Sequence, residues 1–274
     1  MRGRVGSSSV RTAKGSVRLP PAPQTEGTPA RAGQPIRAMS VLPARRRSVT
    51  LHTADGLALQ GTLAVPLDRP PVGTILCLHP LPTHGGSLDS HLLRKADWRL
   101  PALAGLAVVR LNTRGTCGSQ GVFDRGESEK WDLAAGLDLV EAENLPAPWL
   151  VGWSFGSELV LLHGADDPGV TGAILVSPPL RRAGDEALAA WAASGTPLVA
   201  LIPECDDYLQ PPAARVRFGR VPQAELVAVG GARHLWVGEA SVRRVLGEIV
   251  TRVAPGVTLP LPTVWLPTMG KERG

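Results

Sequence analysis

A chain of 274 residues, 43% hydrophobic and 19% charged, is long enough for one large domain or two small ones with a substantial core. No apolar run approaches the ~18 residues that a membrane span requires. The net charge of +5 is unevenly spread: residues 1–47 hold ten of the 29 Lys and Arg but one of the 24 acidic residues, which leaves 19 basic against 23 acidic in the remainder. The basic character therefore belongs to a tail, and the rest of the chain offers no basic surface of the kind that binds nucleic acid.

Residues 1–40 are rich in Arg, Ser, Gly and Pro without apolar periodicity, a composition that buries too little surface to offset chain entropy. They are expected to be disordered, with translation starting at Met39. From Arg47 the pattern changes. Ser48 to His52 and Leu57 to Val65 alternate in polarity around Thr53-Ala54-Asp55-Gly56, which reads as a hairpin, and Thr74 to His79 reads as a central parallel strand covered on both faces. A Gly/Pro loop (Pro80 to Gly86) leads into a helix capped near Ser87 or Asp89 and ended or kinked at Pro101. Ala107 to Asn112 is a strand, Arg114 to Gly121 a turn-rich loop, and Trp131 to Glu143 a helix.

Strands at Trp149 to Val151, Gly172 to Ser177, Pro197 to Ile202 and Ala224 to Val229 then alternate with helices. These begin at Ser157, Asp185, Pro211 and Glu239, the last running to Val253. The alternation implies an α/β domain over residues 47–253 with a mostly parallel sheet wound on both faces. Residues 254–274 form a Pro-rich tail. Cys77, Cys117 and Cys205 are odd in number and lack metal-ligand spacing, which suggests free thiols in a reducing compartment. Arg outnumbers Lys 25 to 4, as in GC-rich bacterial genomes, and a cytoplasmic location is expected.

The chemistry centres on Gly152-Trp153-Ser154-Phe155-Gly156, which fits G-x-S-x-G between a buried strand and a helix. Lifting a serine hydroxyl above a sheet edge requires a turn within about one residue, so positions two before and two after must be small. Both are glycine. The turn leaves the Phe155 N–H free at a helix N-terminus, where a developing oxyanion would be favoured. A serine nucleophile also needs a base held by an acid. Of six histidines, four precede Ser154 and His163 follows within the next helix. That leaves His234, just beyond the last strand. The loop after the preceding strand offers Glu204, Asp206 and Asp207 as the acid. His79 and His84 find no third ligand at metal spacing and are read as loop-structuring, as is Arg114.

Four stretches carry a resemblance to the α/β-hydrolase superfamily, to its small lid-less bacterial members related to dienelactone hydrolases and serine esterases. They are His79-Pro80-Leu81 with Gly85 to Asp89, Leu111 to Ser119, Gly152 to Gly156, and Ala232-Arg233-His234. The resemblance spans roughly residues 48 to 253. It implies an α/β-hydrolase fold without a cap domain and a triad of Ser154, Asp206 and His234. The Asp206 assignment comes from a family motif similar to G-E-x-D, in which Pro203 here replaces the glycine. The resemblance further implies an oxyanion hole of the Phe155 and Leu81 amides, no cofactor and no metal. The room between Ser177 and Pro197 holds one helix and no lid, which points to small soluble esters or thioesters.

Overall fold

The computed structural model describes residues 25–267. One sheet is built from β1 (Arg45–His52), β2 (Ala58–Val65), β3 (Gly73–Leu78), β4 (Leu106–Leu111), β5 (Pro148–Trp153), β6 (Gly172–Val176), β7 (Leu198–Pro203) and β8 (Ala224–Val229). The spatial order is β1-β2-β4-β3-β5-β6-β7-β8. β2 lies antiparallel to both of its neighbours, and the other pairings are parallel. The central strands β3 to β6 are buried along their whole length apart from Trp149. Their side chains point alternately to two separate cores: Leu76 and Leu78 join one, Ile75 and Cys77 the other.

Helices α1 (His91–Ala104) and α6 (Glu239–Val253) cover one face, while α2 (Lys130–Ala142), α3 (Phe155–His163), α4 (Asp185–Ser194) and α5 (Pro211–Phe218) contribute to the core on the other. α6 shows the sequence logic most plainly. Val242, Val245, Leu246, Ile249, Val250 and Val253 are buried, a three-then-one spacing that makes one apolar stripe of an α-helix. Between β6 and β7 the chain holds α4 alone, so among the described residues that crossover inserts no cap over the carboxyl edge of the sheet.

Two expectations from sequence are corrected. Pro101 does not end α1, which starts after the N-cap position Ser90 and runs on to Ala104. A proline there cannot donate to the carbonyl four residues back, and that carbonyl, of Asp97, accepts instead from Arg46 Nη2 at 2.9 Å. The same guanidinium pairs with the buried Asp97 carboxylate, whose other oxygen meets the buried Arg110.

Residues 25–40, expected to be disordered, are folded. Thr28–Pro29 pairs in parallel with Ser40–Val41. Ile36 and Leu42 bury Trp265, while Ile36 N–H donates to the Thr263 carbonyl at 2.7 Å and Trp265 N–H to the Gln34 carbonyl at 3.0 Å. These apolar residues are too sparse to show a period, and they bury surface by meeting α1 and the far end of the chain. The rest of that expectation, on residues 1–24, lies outside the described residues, as do residues 268–274 of the Pro-rich tail. Cutting the chain back to Met39 is expected to lower unfolding stability by about 2 kcal/mol relative to a cut at residue 25, for the loss of Ile36 from its core. Urea unfolding of the two shortened chains measures it; equal midpoints would show that this strap adds nothing.

Candidate active site

β5 and α3 meet at a single residue, Ser154, with φ +53° and ψ −114°. That conformation costs a non-glycine residue about 1–3 kcal/mol, and the surroundings impose it. Ser154 N–H donates to the Val176 carbonyl at the end of β6 at 2.8 Å. A Cβ at Gly152 would collide with the Gly156 carbonyl, and one at Gly156 with the Leu78 carbonyl at the end of β3. The two glycines therefore let α3 start directly against the sheet.

The structure brings together three side chains distant in sequence. Ser154 Oγ lies 2.8 Å from His234 Nε2. The other ring nitrogen, Nδ1, is 2.9 Å from Asp206 Oδ2 and 3.1 Å from Oδ1. Asp206 is buried, and its Oδ1 also accepts the Tyr208 N–H at 2.8 Å. Because a carboxylate can only accept, Nδ1 carries the proton and Nε2 is left to accept from the serine hydroxyl. The other two carboxylates of the loop do other things. Glu204 Oε2 accepts the Gly231 N–H at 2.7 Å, closing the turn that delivers His234. Asp207 lines the cleft. His163 is turned away, its Nε2 bound to the Gly126 carbonyl.

Several positioning groups had no sequence signal of their own. The His234 carbonyl accepts two bonds, from Trp153 Nε1 and from Ser177 Oγ, each 3.2 Å, and Trp236 Nε1 donates to Ser177 Oγ at 2.7 Å. The backbone that carries the imidazole is thus fixed by the residue before Ser154, by the end of β6, and by its own second neighbour. Tyr208 stacks at a tilt on the His234 ring, centroids 4.6 Å apart.

Leu81 and Phe155 line the same cleft of about 830 Å³ as Ser154 and His234. Neither amide N–H donates to any group among the described residues. The loop bearing Leu81 is secured by His79, which is fully buried. His79 Nδ1 donates to the Pro80 carbonyl at 2.7 Å and Nε2 accepts from the Thr113 N–H at 3.1 Å, so only the neutral ring satisfies both. Burial drives its pKa down to about 4, against a smaller opposing effect of the Pro80 bond. Arg114 likewise ties loops: it bonds Asp132 and Asp55. Burial works against its charge, but the two carboxylates outweigh burial and hold the guanidinium above its ordinary range. His84 is exposed beside Thr83, and no group of three or more His, Cys, Asp or Glu among the described residues is placed to hold a metal.

Known proteins share this architecture. An α/β serine hydrolase homologue from Coxiella burnetii is 25% identical, with a TM-score of 0.65 over 76% of this chain and 97% of its own. A lid-less α/β serine hydrolase from Xanthomonas campestris is also 25% identical, with a TM-score of 0.64 over 80% and 99% of the two chains. The chain belongs to the α/β-hydrolase superfamily. An esterase from Pyrococcus furiosus, 20% identical with a TM-score of 0.62 over 77% and 94% of the two chains, shares the fold of this α/β hydrolase. No family model matches its sequence. An uncharacterized protein of Rickettsia prowazekii is 33% identical over 107 residues, which cover 38% of this α/β hydrolase and 44% of that relative's length.

The buried His79 makes a testable contribution. Its folded pKa lies near 4 against an ordinary value of 6.5, so the unfolded chain takes up the proton first as pH falls. The contribution to stability is full above about pH 6.5 and is lost progressively toward pH 4, a span worth roughly 3 kcal/mol. Urea unfolding of wild type and His79→Gln across that range is expected to show the steeper acid loss in the wild type. Parallel curves would contradict it.

Proposed function

We propose that this α/β hydrolase cleaves small carboxylic esters or thioesters through an acyl-enzyme on Ser154. The observation that carries the reading is the unbroken line from Asp206 through His234 to the Ser154 hydroxyl. In the first step His234 Nε2 takes the hydroxyl proton as Oγ adds to the substrate carbonyl. The same proton is then delivered to the departing alcohol or thiol as the acyl group stays on Oγ. Water, deprotonated by His234, attacks the acyl carbonyl in the second step. The carboxylic acid leaves and the proton returns to Ser154.

Asp206 keeps the imidazole in the tautomer that presents Nε2 as a base and stabilises the imidazolium that forms. The oxyanion of each tetrahedral intermediate would be held by the Phe155 and Leu81 amides. Support comes from their shared cleft with Ser154 and from the absence of any competing acceptor for either N–H among the described residues. The first of these amides also opens α3, where the helix dipole favours negative charge. The chemistry calls on no metal or organic cofactor. The uncapped cleft supports small substrates reached from water in preference to long acyl chains at an interface. Among the described residues no helix is long and apolar enough to cross a membrane. A cytoplasmic location remains part of this proposal.

Hydrolysis of short-acyl esters by wild type and by Ser154→Ala, His234→Ala and Asp206→Asn tests the roles. Each substitution is expected to lower kcat by about 10⁴-fold or more, with the folded state retained by circular dichroism. Undiminished turnover in Ser154→Ala would contradict the acyl-enzyme.

A further inference from the structure

Two arginines, Arg181 and Arg182, line the cleft beside Ser154 on the loop that follows β6. Their placement is built and not incidental. Glu158, one turn into α3 from Ser154, is fully buried. Its Oε1 accepts the Arg181 N–H at 2.7 Å, and its Oε2 accepts the Arg182 and Ala183 N–H groups at 2.5 and 2.9 Å. A buried carboxylate bound to three consecutive backbone amides is satisfied by them, and it fixes this loop to the helix that the nucleophile opens. Leu180, just before the pair, takes φ +48°.

Each guanidinium rests on an aromatic ring of the site. Arg181 Cζ stands 4.6 Å from the centroid of Tyr208, which itself stacks on His234. Arg182 Cζ stands 5.3 Å from the centroid of Phe155, the residue after Ser154. Such stacking holds the planar fork of an arginine in place while leaving its N–H edge free. Neither side chain has a carboxylate partner within ion-pair distance among the described residues. The acids nearby are otherwise engaged or too few: Glu158 is spent on backbone amides, Asp185 pairs with Arg220, and among the described residues Asp207 is the one acidic residue that lines the cleft with the two arginines.

We propose that Arg181 and Arg182 select substrates that carry an anionic oxygen group, a carboxylate or a phosphate, on the side of the scissile ester or thioester that reaches this wall. The inference rests on the hydrolase reading of Ser154 and adds the substrate class. A guanidinium bonds a carboxylate or phosphate through two parallel N–H groups, and hydrogen bonds to charged groups of this kind translate to roughly 10-fold to 100-fold in affinity or kcat/KM.

The experiment pairs each anionic probe with a neutral counterpart that carries the same type of scissile bond. For the carboxylate, monoethyl succinate is compared with ethyl 4-methylpentanoate; for the phosphate, butyryl coenzyme A is compared with butyryl-N-acetylcysteamine. The expected result is an anionic-to-neutral ratio of kcat/KM of at least 10 in one pair, which identifies the group, and a fall of that ratio by 10-fold or more in Arg181→Gln/Arg182→Gln. Calorimetric binding of the same probes to Ser154→Ala repeats the comparison without turnover. Turnover with a ratio near one in both pairs, unchanged by the double substitution, would overturn the proposal and leave the hydrolase reading standing. Anion-selective binding to Ser154→Ala with no turnover in wild type would instead overturn the hydrolase reading and support the anion site.

Discussion

The candidate site depends on one hydrogen bond between residues 80 apart in sequence, from the Ser154 hydroxyl to His234 Nε2. Several groups near the carboxyl edge of the sheet hold its two ends. On the serine side, a backbone conformation that costs about 1–3 kcal/mol is enforced by the bond to Val176 and by the approach of α3 to β3 across Gly152 and Gly156. The histidine side is held by Asp206 through the ring and by Trp153 and Ser177 through the carbonyl. Neither end could be relaxed without moving the other, because Trp153 and Ser154 are consecutive and belong to opposite ends of the contact.

The loops around this edge are tied down by buried charge and by a buried neutral ring. Arg114 joins the β1–β2 turn to the start of α2 through Asp55 and Asp132. Arg46, Asp97 and Arg110 link β1, α1 and β4. Pairs of this sort contribute little net stability beyond what apolar packing would, but removing one partner leaves a buried charge exposed to its desolvation cost. Their value here is geometric: they fix where loops leave the sheet. His79 achieves the same for the Leu81 loop as a neutral ring, because burial drives its pKa down.

How much of this was legible in the sequence follows from the range of each interaction. The central strands were legible because burial on both faces demands continuous apolar runs, and α6 because one buried face demands a period. The elbow was legible because its steric demands fall within five residues. His234 could be reached by elimination, since the other histidines lie on the wrong side of Ser154 or in its own helix. Spacing alone left Glu204, Asp206 and Asp207 open as the acid; the resemblance to related hydrolases singled out Asp206, and the fold places Asp206 on the imidazole and Glu204 on Gly231 N–H. What stayed hidden acts through backbone groups far away in sequence. Ser177 and Trp236 serve a carbonyl, Glu158 serves three amides, and Arg46 fills the bond that Pro101 cannot make. The ordered strap at residues 25–42 was hidden for a related reason, since its apolar partner lies more than 200 residues on, at Trp265.

The central claim is that His234 makes the Ser154 hydroxyl nucleophilic. Mass spectrometry of the intact protein after exposure to a serine-directed fluorophosphonate addresses it without any assumption about substrate. The account predicts one covalent adduct, mapped to the peptide containing Ser154 and absent from both Ser154→Ala and folded His234→Ala. An unlabelled wild-type protein, or a Ser154 adduct that forms equally fast without the imidazole, would contradict it.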